Sequence, residues 1–492
     1  MQSEHPPIAD DLAALAKVPL SSWVPLEDLL ARVGGGSAFL LESAGESRSF
    51  ARWSMLGTHP VARFISKGGN NRFHWLSRGQ KWIWKEAPLA ALRRAMLAFP
   101  RPSAREDIPF AGGAVGVLSY ELGRSLLPVP PRAKDDLDLP ELSFYFFDRF
   151  ILFDRDQGQA WAVAYARGAD DEDARREAQL RATLLAESIS NLQDIQREAD
   201  TPQEGGCLEI SKSLSGEEYR RAVMRCIEEI HEGEAYELCL TGRFETGFNG
   251  DPVLLYRQLR RDNPAPFGGF LRFPEATLIS SSPERFLKVD SKGQVEARPI
   301  KGTRPRGNSP VEDAALRAEL KSSRKDRAEN TMIVDLLRND LNRVCETGSV
   351  SVPELCVIED YASLFQMVST ITGTLAEGRD RFDLLTSAFP GGSMTGAPKI
   401  AAMKILESIE PCVRGYYSGA MGYLGFDGGL DLSMVIRAVQ LIGSRALVGA
   451  GGAVLAGSDP DSEWREAVSK AKPALNAIAK LGGKTLPGLD GS

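Results

Sequence analysis

The amino-terminal third of the chain alternates between apolar and polar side chains in short runs that glycine and proline interrupt. Runs such as SAFLLES, PVARFIS and FYFFDRFILFD predict β-strands between about residues 15 and 165. Good helix formers follow at 168–188, so we expect a charged helix there, capped by Asp170 or Asp171. The apolar residues then disappear, and the segment ends in proline and glycine, which predicts a linker at 196–206.

The chain beyond residue 207 shows longer and clearer elements. A helix is predicted for SGEEYRRAVMRCIEEIHEGEAY, in which Ser215 is a cap candidate and apolar residues recur at helical spacing. Two further helices are predicted, for KSSRKDRAENTMIVDLLRNDLNRV and SDPDSEWREAVSKAKPALNAIAK. Strands with loops at their ends are predicted for YELCLTGRFET, ATLISSSPERFLKV, QVEARPIKGT and ALVGAGGAVLAG.

Composition adds the protein class and excludes several functions. Among 492 residues, 43% are hydrophobic and 25% are charged, which is ordinary for a globular protein. The 59 basic and 66 acidic residues are interleaved and give a net charge of −7, so nucleic acid and anionic membranes are unexpected partners. The start, MQSEHPPIADDLAALAK, does not resemble a secretory signal. Together with six scattered cysteines that form no CxxC pair, these features predict a cytoplasmic protein.

Two pairs of acids are the first candidate for chemistry. Asp326 and Glu329 lie three residues apart in one predicted helix, and Glu463 and Glu466 repeat that spacing in another. Only four histidines occur, none at metal-binding spacing, so any metal site would use carboxylates and a hard ion such as Mg²⁺. Acids at this spacing are more often simply solvated, and the spacing alone leaves both interpretations open.

Lys301 and two glycine-rich segments are the other candidates. Lys301 stands at the end of a predicted strand, where it could act as a nucleophile if burial lowers its pKa from about 10.4. FPGGSMTGAPK and VGAGGAVLAG could bring backbone N–H groups to an anion. Neither segment matches a nucleotide-binding motif, and tight turns or close strand packing explain them equally well.

Eight blocks, in this order, closely resemble the chorismate-utilising enzyme family. The family contains component I of anthranilate synthase, component I of aminodeoxychorismate synthase, and the isochorismate and salicylate synthases. The blocks are SSPERFL (281–287), RPIKGTRPRG (298–307), DRAENTMIVDLLRNDL (326–341), PGGSMTGAPK (390–399), GYYSGAMGY (415–423), MVIRAV (434–439), GAGGAV (449–454) and SDPDSEWREAVSKA (458–471).

The resemblance implies an α+β fold in which two large antiparallel β-sheets pack face to face with helices on the outside. This is the α/β/β/α sandwich of anthranilate synthase component I. It divides the chain into an amino-terminal companion domain at 1–195, the linker at 196–206, a chorismate-binding catalytic domain at 207–480 and a tail at 481–492.

The resemblance also implies roles for single residues. Glu284 would protonate the leaving 4-hydroxyl of chorismate, which requires a raised pKa. Glu329 and Glu466 would bind Mg²⁺, supported by Asp326 and Glu463, and the metal would hold the ring carboxylate. Tyr417 and Arg437 would take the enolpyruvyl carboxylate. The remaining expected substrate-binding positions are Gly302, Thr303, Gln366, Gly451, Gly452 and Lys470.

Within the family, PIKGT is typical of enzymes that aminate C4 of chorismate, whereas anthranilate synthases usually carry alanine at the position of Lys301. Lys301 would attack C2 as the 4-hydroxyl leaves, and ammonia would then attack C4 and expel the lysine. The product would be 4-amino-4-deoxychorismate, a precursor of 4-aminobenzoate and folate. Anthranilate formation for tryptophan biosynthesis is the alternative. Isochorismate formation is remote, because Glu237 stands where water-adding members have a lysine base. A binding or regulatory module without catalysis is a further alternative, which the presence of the four acids and Arg437 disfavours.

Three further expectations follow. None of the six cysteines lies in a G-x-C-x-G elbow, so ammonia should come from a separate glutamine amidotransferase subunit. Gln366 replaces a histidine that is common in the family, and a glutamine there cannot shuttle a proton. FLLES and NPAPF resemble the segments around the tryptophan pocket of anthranilate synthase, so a tryptophan site and plain core packing are both open for Leu41, Glu42, Ser43, Pro264 and Phe267.

Overall fold

The computed structural model describes residues 5–21, 25–33, 35–43, 52–103, 105, 107–191, 206–361 and 364–489. Except for Gly206, the predicted linker lies outside these residues. Within them the chain forms two β-sheets of 12 strands each and 11 α-helices.

The first sheet has the strand order β1-β10-β9-β3-β2-β13-β14-β23-β24-β12-β11, and β20 pairs with β12. Its strands are β1 (Leu12–Pro19), β2 (Ala38–Glu42), β3 (Trp53–Thr58), β9 (Arg149–Asp154), β10 (Gln159–Gly168), β11 (Ser211–Lys212), β12 (Glu237–Gly247), β13 (Phe267–Arg272), β14 (Thr277–Ser282), β20 (Gly396–Ala397), β23 (Ala438–Ile442) and β24 (Arg445–Val454).

The second sheet has the order β17-β19-β16-β15-β22-β21-β7-β8-β4-β5-β6, and β18 pairs with β19. Its strands are β4 (Ala62–Lys67), β5 (Asn70–Trp75), β6 (Gln80–Lys85), β7 (Gly113–Leu118), β8 (Leu142–Phe147), β15 (Arg285–Val289), β16 (Gln294–Arg298), β17 (Ile300–Pro305), β18 (Ser351–Asp360), β19 (Leu364–Thr374), β21 (Ala420–Gly425) and β22 (Leu430–Met434).

The helices flank these sheets. They are α1 (Leu26–Arg32), α2 (Pro88–Met96), α3 (Leu122–Leu126), α4 (Asp171–Ser190), α5 (Gly216–His231), α6 (Pro252–Asp262), α7 (Pro310–Ser322), α8 (Arg324–Asn342), α9 (Arg381–Ala388), α10 (Lys399–Ile409) and α11 (Pro460–Leu481). Within the described residues, none of the helices combines the length and the apolar composition that crossing a membrane requires.

Three apolar layers show how the elements stack. One cluster joins strands of both sheets, with Phe39 and Leu271 from the first and Val115 and Met421 from the second, so it lies between them. A second cluster packs α5, α6, α10 and α11 on the first sheet, and a third packs α2, α8 and α9 on the second. Because both faces of the sheets are covered, every residue of β7 and β8 is buried. The predicted α/β/β/α sandwich is confirmed.

Strands from before and after the predicted linker share both sheets. In the first sheet β2 pairs with β13, and in the second β7 pairs with β21, each time across a separation of more than two hundred residues. Both pairings are antiparallel. Because each joins a strand from before the predicted linker to one from after it, both halves of the chain contribute to both continuous sheets. The boundaries at 195 and 207 stay a proposal about sequence organisation.

The predicted helix starts agree with the structure. The Asp170 side chain accepts a hydrogen bond from the Asp173 N–H at the start of α4, and Ser215 and Glu218 form a capping box at the start of α5. These local signals work because a short polar side chain satisfies backbone donors that the first helical turn leaves without partners.

Candidate active site

A cavity of about 470 Å³ lies where strands of both sheets meet the first turns of α8 and α11. It receives side chains from β12, β17, β19 and β24, from the loops before β15 and β23, and from a short turn at Gly392–Met394. All but one of the residues predicted for catalysis, chorismate binding and metal binding line this cavity: Glu284, Lys301, Gly302, Thr303, Asp326, Glu329, Gln366, Tyr417, Arg437, Gly451, Gly452, Glu466 and Lys470.

Glu463 does not line the cavity but lies directly behind it. A Cβ atom at Gly452 would come within 2.9 Å of Glu463 Oε2 and 3.5 Å of Glu466 Oε1. The glycine in β24 therefore permits the acids of α11 to approach the strand closely. On the other face of the same strand, a Cβ at Gly449 would overlap the ring of Tyr417. Close packing explains the glycine-rich segment 448–457 without any nucleotide.

Lys301 lies in the cavity wall with its amine bonded to a buried acid. Its Nζ donates a hydrogen bond of 2.7 Å to Glu237 Oε1, and only 11% of the Lys301 side chain is exposed. Burial alone would lower the pKa of Lys301, but the negative charges of Glu237 and Glu329 outweigh it and raise the pKa above its usual value. Lys301 is therefore an ammonium in the free protein, and Glu237 is the group placed to take its proton.

Glu284 is the acid whose environment matches proton donation. It lies in the loop between β14 and β15, and Ser393 Oγ donates a hydrogen bond of 2.8 Å to its Oε1. Burial raises the pKa of Glu284 to about 7, although Ser393 and the charge of Lys301 oppose this shift. A carboxyl group in this state is partly protonated near neutral pH, as a general acid requires.

Of the four remaining acids, Asp326 and Glu329 lie near the start of α8, and Glu463 and Glu466 lie near the start of α11. Ser323 caps α8, and Asp459 with Pro460 begins α11, so Asp326 and Glu463 lie in the first turn of their helices, where the helix dipole favours negative charge. Glu329 and Glu466 follow about one turn later. The partners of these acids are already basic or polar: Arg304 Nη2 lies 3.1 Å from Asp326, Lys325 Nζ 3.8 Å from Glu329, Ser458 Oγ 2.7 Å from Glu463 and Lys470 Nζ 2.7 Å from Glu466.

No three histidine, cysteine or acidic side chains within the described ranges converge closely enough to hold a metal ion. The donor set nevertheless fits Mg²⁺, because it consists of carboxylate oxygens and one of them, the buried Glu463 Oε2, has no hydrogen-bond partner. Burial raises the pKa of Glu329 and, with the nearby charge of Glu466, that of Glu463. Both groups would be stabilised as carboxylates by a cation.

Arg437 is a cation without an ionic partner. It lines the cavity with a backbone φ of 49°, and its guanidinium makes no ion pair with a carboxylate of the described chain. Burial lowers the pKa of Arg437 from its ordinary value. A buried guanidinium is costly unless an anion joins it, so this side of the cavity is suited to a carboxylate ligand.

Gln366 and Thr303 face each other across the pair of strands β17 and β19. Gln366 is only 2% exposed and lies in the cavity wall, in the place where the family commonly has histidine. None of the four histidines lines the cavity, and the titratable side chains that do line it are carboxylates, lysines, arginines, Tyr417 and Cys239.

A second cavity of about 580 Å³ is lined by residues from both halves of the chain. Of the residues named for a possible tryptophan site, Leu41, Glu42, Ser43 and Phe267 line this cavity, whereas its proline is Pro266 and Pro264 is not among the lining residues. The Glu42 carboxylate is buried and accepts a hydrogen bond from Tyr256. Burial raises the pKa of Glu42.

Two functional contacts have only weak signals in the sequence. Ser393 stands inside PGGSMTGAPK, where the glycines attract attention, and its contact with Glu284 joins residues 109 apart. Glu237 is noticeable only as a departure from a family pattern, and its contact with Lys301 spans 64 residues. Both contacts join segments that lie far apart in the chain, which no local pattern predicts.

The chain is similar in sequence to known proteins over most of its length. The family model described as chorismate binding enzyme matches residues 36–476. An aminodeoxychorismate synthase from Streptomyces pristinaespiralis is 42% identical over 398 residues, covering 79% of this chain and 53% of the relative. Aminodeoxychorismate synthase component 1 from Escherichia coli K12 is 35% identical over 445 residues, covering 90% of this chain and 93% of the relative.

The fold has solved counterparts. The crystal structure of anthranilate synthase component I from Streptococcus pneumoniae superposes with a TM-score of 0.75 and 27% identity, covering 86% of this chain and 92% of that one. The chain spans about half the length of several curated relatives, including 53% of the Streptomyces protein. It therefore matches part of those proteins and nearly all of the Escherichia coli component.

Proposed function

The chain belongs to the chorismate-binding enzyme family, and we propose that it is component I of an aminodeoxychorismate synthase. The proposed reaction converts chorismate and ammonia to 4-amino-4-deoxychorismate. The observation that carries this proposal is the buried amine of Lys301, bonded to Glu237 in the same cavity as Glu284. A lysine in this position supplies a nucleophile that alanine, usual here in anthranilate synthases, cannot supply.

The reaction begins with a proton transfer from Lys301 Nζ to Glu237. The free amine then forms a bond to C2 of chorismate while the bond between C4 and its oxygen breaks. Glu284 donates the proton with which the 4-hydroxyl leaves as water, so that step needs Glu284 in its acid form.

The second displacement restores the enzyme. Ammonia forms a bond to C4, and the bond between C2 and Lys301 Nζ breaks. The new ammonium group loses a proton to the Glu284 carboxylate, and Lys301 recovers its proton from Glu237. Chorismate has then exchanged its 4-hydroxyl for an amine, with water as the other product, and both acids return to their starting states.

The rest of the cavity binds and orients the substrate. Arg437 and Tyr417 would hold one carboxylate of chorismate, and backbone groups around Gly451 complete that side. Glu329 and Glu466, assisted by Asp326 and Glu463, would hold Mg²⁺ near the ring carboxylate. When bound, Mg²⁺ would neutralise that carboxylate and draw electron density from the ring as the hydroxyl leaves.

Anthranilate synthase component I is the second candidate, favoured by the close structural likeness to that enzyme. The two candidates share the metal site, the general acid and the carboxylate pocket. They differ at Lys301, for which anthranilate formation has no use.

We also propose a glutamine amidotransferase subunit as the ammonia source, because the named Escherichia coli relative is a first component. A cytoplasmic location is consistent with six cysteines that are all free thiols.

For the second cavity we propose tryptophan as a bound ligand, with Leu41, Glu42, Ser43 and Phe267 among the residues that line it.

Product identification tests the proposal. The purified chain is incubated with chorismate, Mg²⁺ and ammonium, and an aminodeoxychorismate lyase is added before chromatography. We expect 4-aminobenzoate, formed only when the lyase is present. Accumulation of anthranilate would refute the assignment and support the second candidate.

A further inference from the structure

A buried ion pair lies immediately behind the active-site cavity. Arg414 and Glu410 are four residues apart, and their side chains are 3% and 7% exposed. The Arg414 guanidinium also lies 4.1 Å from the centre of the Tyr120 ring. Neither charged residue is among those lining the cavity.

All five N–H donors of the Arg414 guanidinium have a partner. Two bind the Glu410 carboxylate, with Nε 2.9 Å from Oε2 and Nη2 2.7 Å from Oε1. The other three bind the Cys239 carbonyl at 2.8 Å, the Met394 carbonyl at 2.7 Å and the Ser418 hydroxyl at 3.2 Å. A lysine could not reproduce this planar fork.

The three outer partners belong to the segments that carry the reactive groups. Cys239 is two residues from Glu237 on β12, and Met394 follows Ser393 directly. Ser418 follows Tyr417 and has a left-handed backbone, with φ of 67°. Arg414 therefore joins the supports of Lys301, Glu284 and the substrate-binding tyrosine from behind.

Glu410 fixes the fork on its other side. Its Oε1 accepts hydrogen bonds from the Thr241 N–H at 2.9 Å and from the Thr241 hydroxyl at 3.0 Å. Both charges of the pair are thus bound to β12 as well as to each other. A buried ion pair contributes little net stability compared with apolar packing, whereas it fixes the positions of its hydrogen-bond partners.

We propose that Arg414, held by Glu410, is a positioning residue that sets the distance between the Lys301–Glu237 pair and the Glu284–Ser393 pair. It acts through the carbonyls of Cys239 and Met394 and does not touch the substrate. This proposal rests on the proposed function, since the two pairs must act on the same substrate ring. A displacement of about 1 Å between such groups can cost roughly a hundredfold in rate.

The test compares Arg414→Lys with a matched control, Arg124→Lys. Arg124 also forms a buried ion pair, 2.6 Å from Glu407, but that pair joins α3 to α10 and does not line the cavity. Chorismate consumption with ammonium is measured for both variants over a range of pH, together with the melting temperature. Glu410→Gln serves as a second variant if Arg414→Lys does not fold.

We expect Arg414→Lys to lower kcat by roughly tenfold or more, with a smaller change in KM, while Arg124→Lys keeps kcat within about twofold. A loosened Ser393 should also move the alkaline limb of the pH profile upward. Equal rate losses in the two variants, or a loss that follows only the unfolded fraction, would overturn the proposal. Anthranilate formation by the wild-type chain would refute the proposed function. Because consumption of chorismate is measured whatever the product, the comparison of the two variants would still decide the role of Arg414.

Discussion

The two ends of the active-site cavity are built differently. At the reactive end, Lys301 is bonded to Glu237 and Glu284 to Ser393, so each reacting group is held by another side chain. At the acidic end, Glu329 and Glu466 face the lysines of their own helices, Lys325 and Lys470, and Glu463 Oε2 has no partner. The reactive end is preorganised by the protein alone, whereas the acidic end is suited to a cation that the fold does not itself supply.

This difference separates the roles of the two ends. A change at the reactive end should alter the chemical step whatever the concentration of metal, because the protein itself fixes the geometry. A change at the acidic end should alter the dependence on Mg²⁺ and be partly compensated by more metal.

The largest effect should come from Lys301→Ala. We expect the formation of 4-aminobenzoate in the coupled assay to fall by roughly a thousandfold or more, since the nucleophile is removed. Raising the Mg²⁺ concentration should not restore it. Lys404→Ala, an exposed lysine on α10, is the control and should retain full activity. Unchanged turnover of Lys301→Ala would remove Lys301 from the mechanism.

An intermediate effect is expected from Glu329→Gln. The Mg²⁺ concentration for half-maximal activity should rise by roughly tenfold to a hundredfold, and saturating metal should recover part of the rate. The exposed helical acid Glu217, changed to glutamine, is the control for a solvated position. An unchanged Mg²⁺ dependence in Glu329→Gln would show that this acid is no metal ligand.

The smallest effect concerns the pH profile. In the proposed mechanism Glu284 acts as an acid, and its pKa is raised to about 7, so the rate should decline as the pH rises through that value and the proton is lost. Ser393→Ala removes a hydrogen bond that stabilises the Glu284 carboxylate and should therefore raise this pKa further. The descending limb should move to higher pH by less than about one unit, measured as kcat/KM at saturating Mg²⁺. A limb that stays in place, or moves to lower pH, would exclude the Ser393 contact as a determinant of the profile.

Local parts of the fold were predictable because their physical signals are local. Ser215 and Asp170 indicate helix starts because their side chains accept hydrogen bonds from the first N–H groups. Alternating apolar and polar residues, as in β4, indicate strands. The order of the strands was not predictable in this way. The pairing of Glu42 with Gly268 depends on long-range packing that neither segment encodes by itself.

The candidate site shows the same difference between local features, which the sequence predicts, and long-range contacts, which it does not. The identities of Lys301, Glu284 and Arg437 followed from motifs, but their environments did not. Burial, the one influence that the sequence suggests for Lys301, would lower its pKa, whereas the charges of Glu237 and Glu329 in the folded protein reverse the direction. The Arg414 fork was missed because its partners come from three distant segments whose meeting is a property of the whole fold.

Trapping the lysine adduct tests the central claim most directly. The wild-type chain is incubated with chorismate and Mg²⁺ in the absence of ammonium, quenched, digested and analysed by mass spectrometry. The mechanism predicts that the peptide containing Lys301 gains the mass of chorismate less one water, and that Lys301→Ala gains nothing. A wild-type chain that makes 4-amino-4-deoxychorismate with ammonium, yet never carries this adduct when ammonium is withheld, would contradict the account.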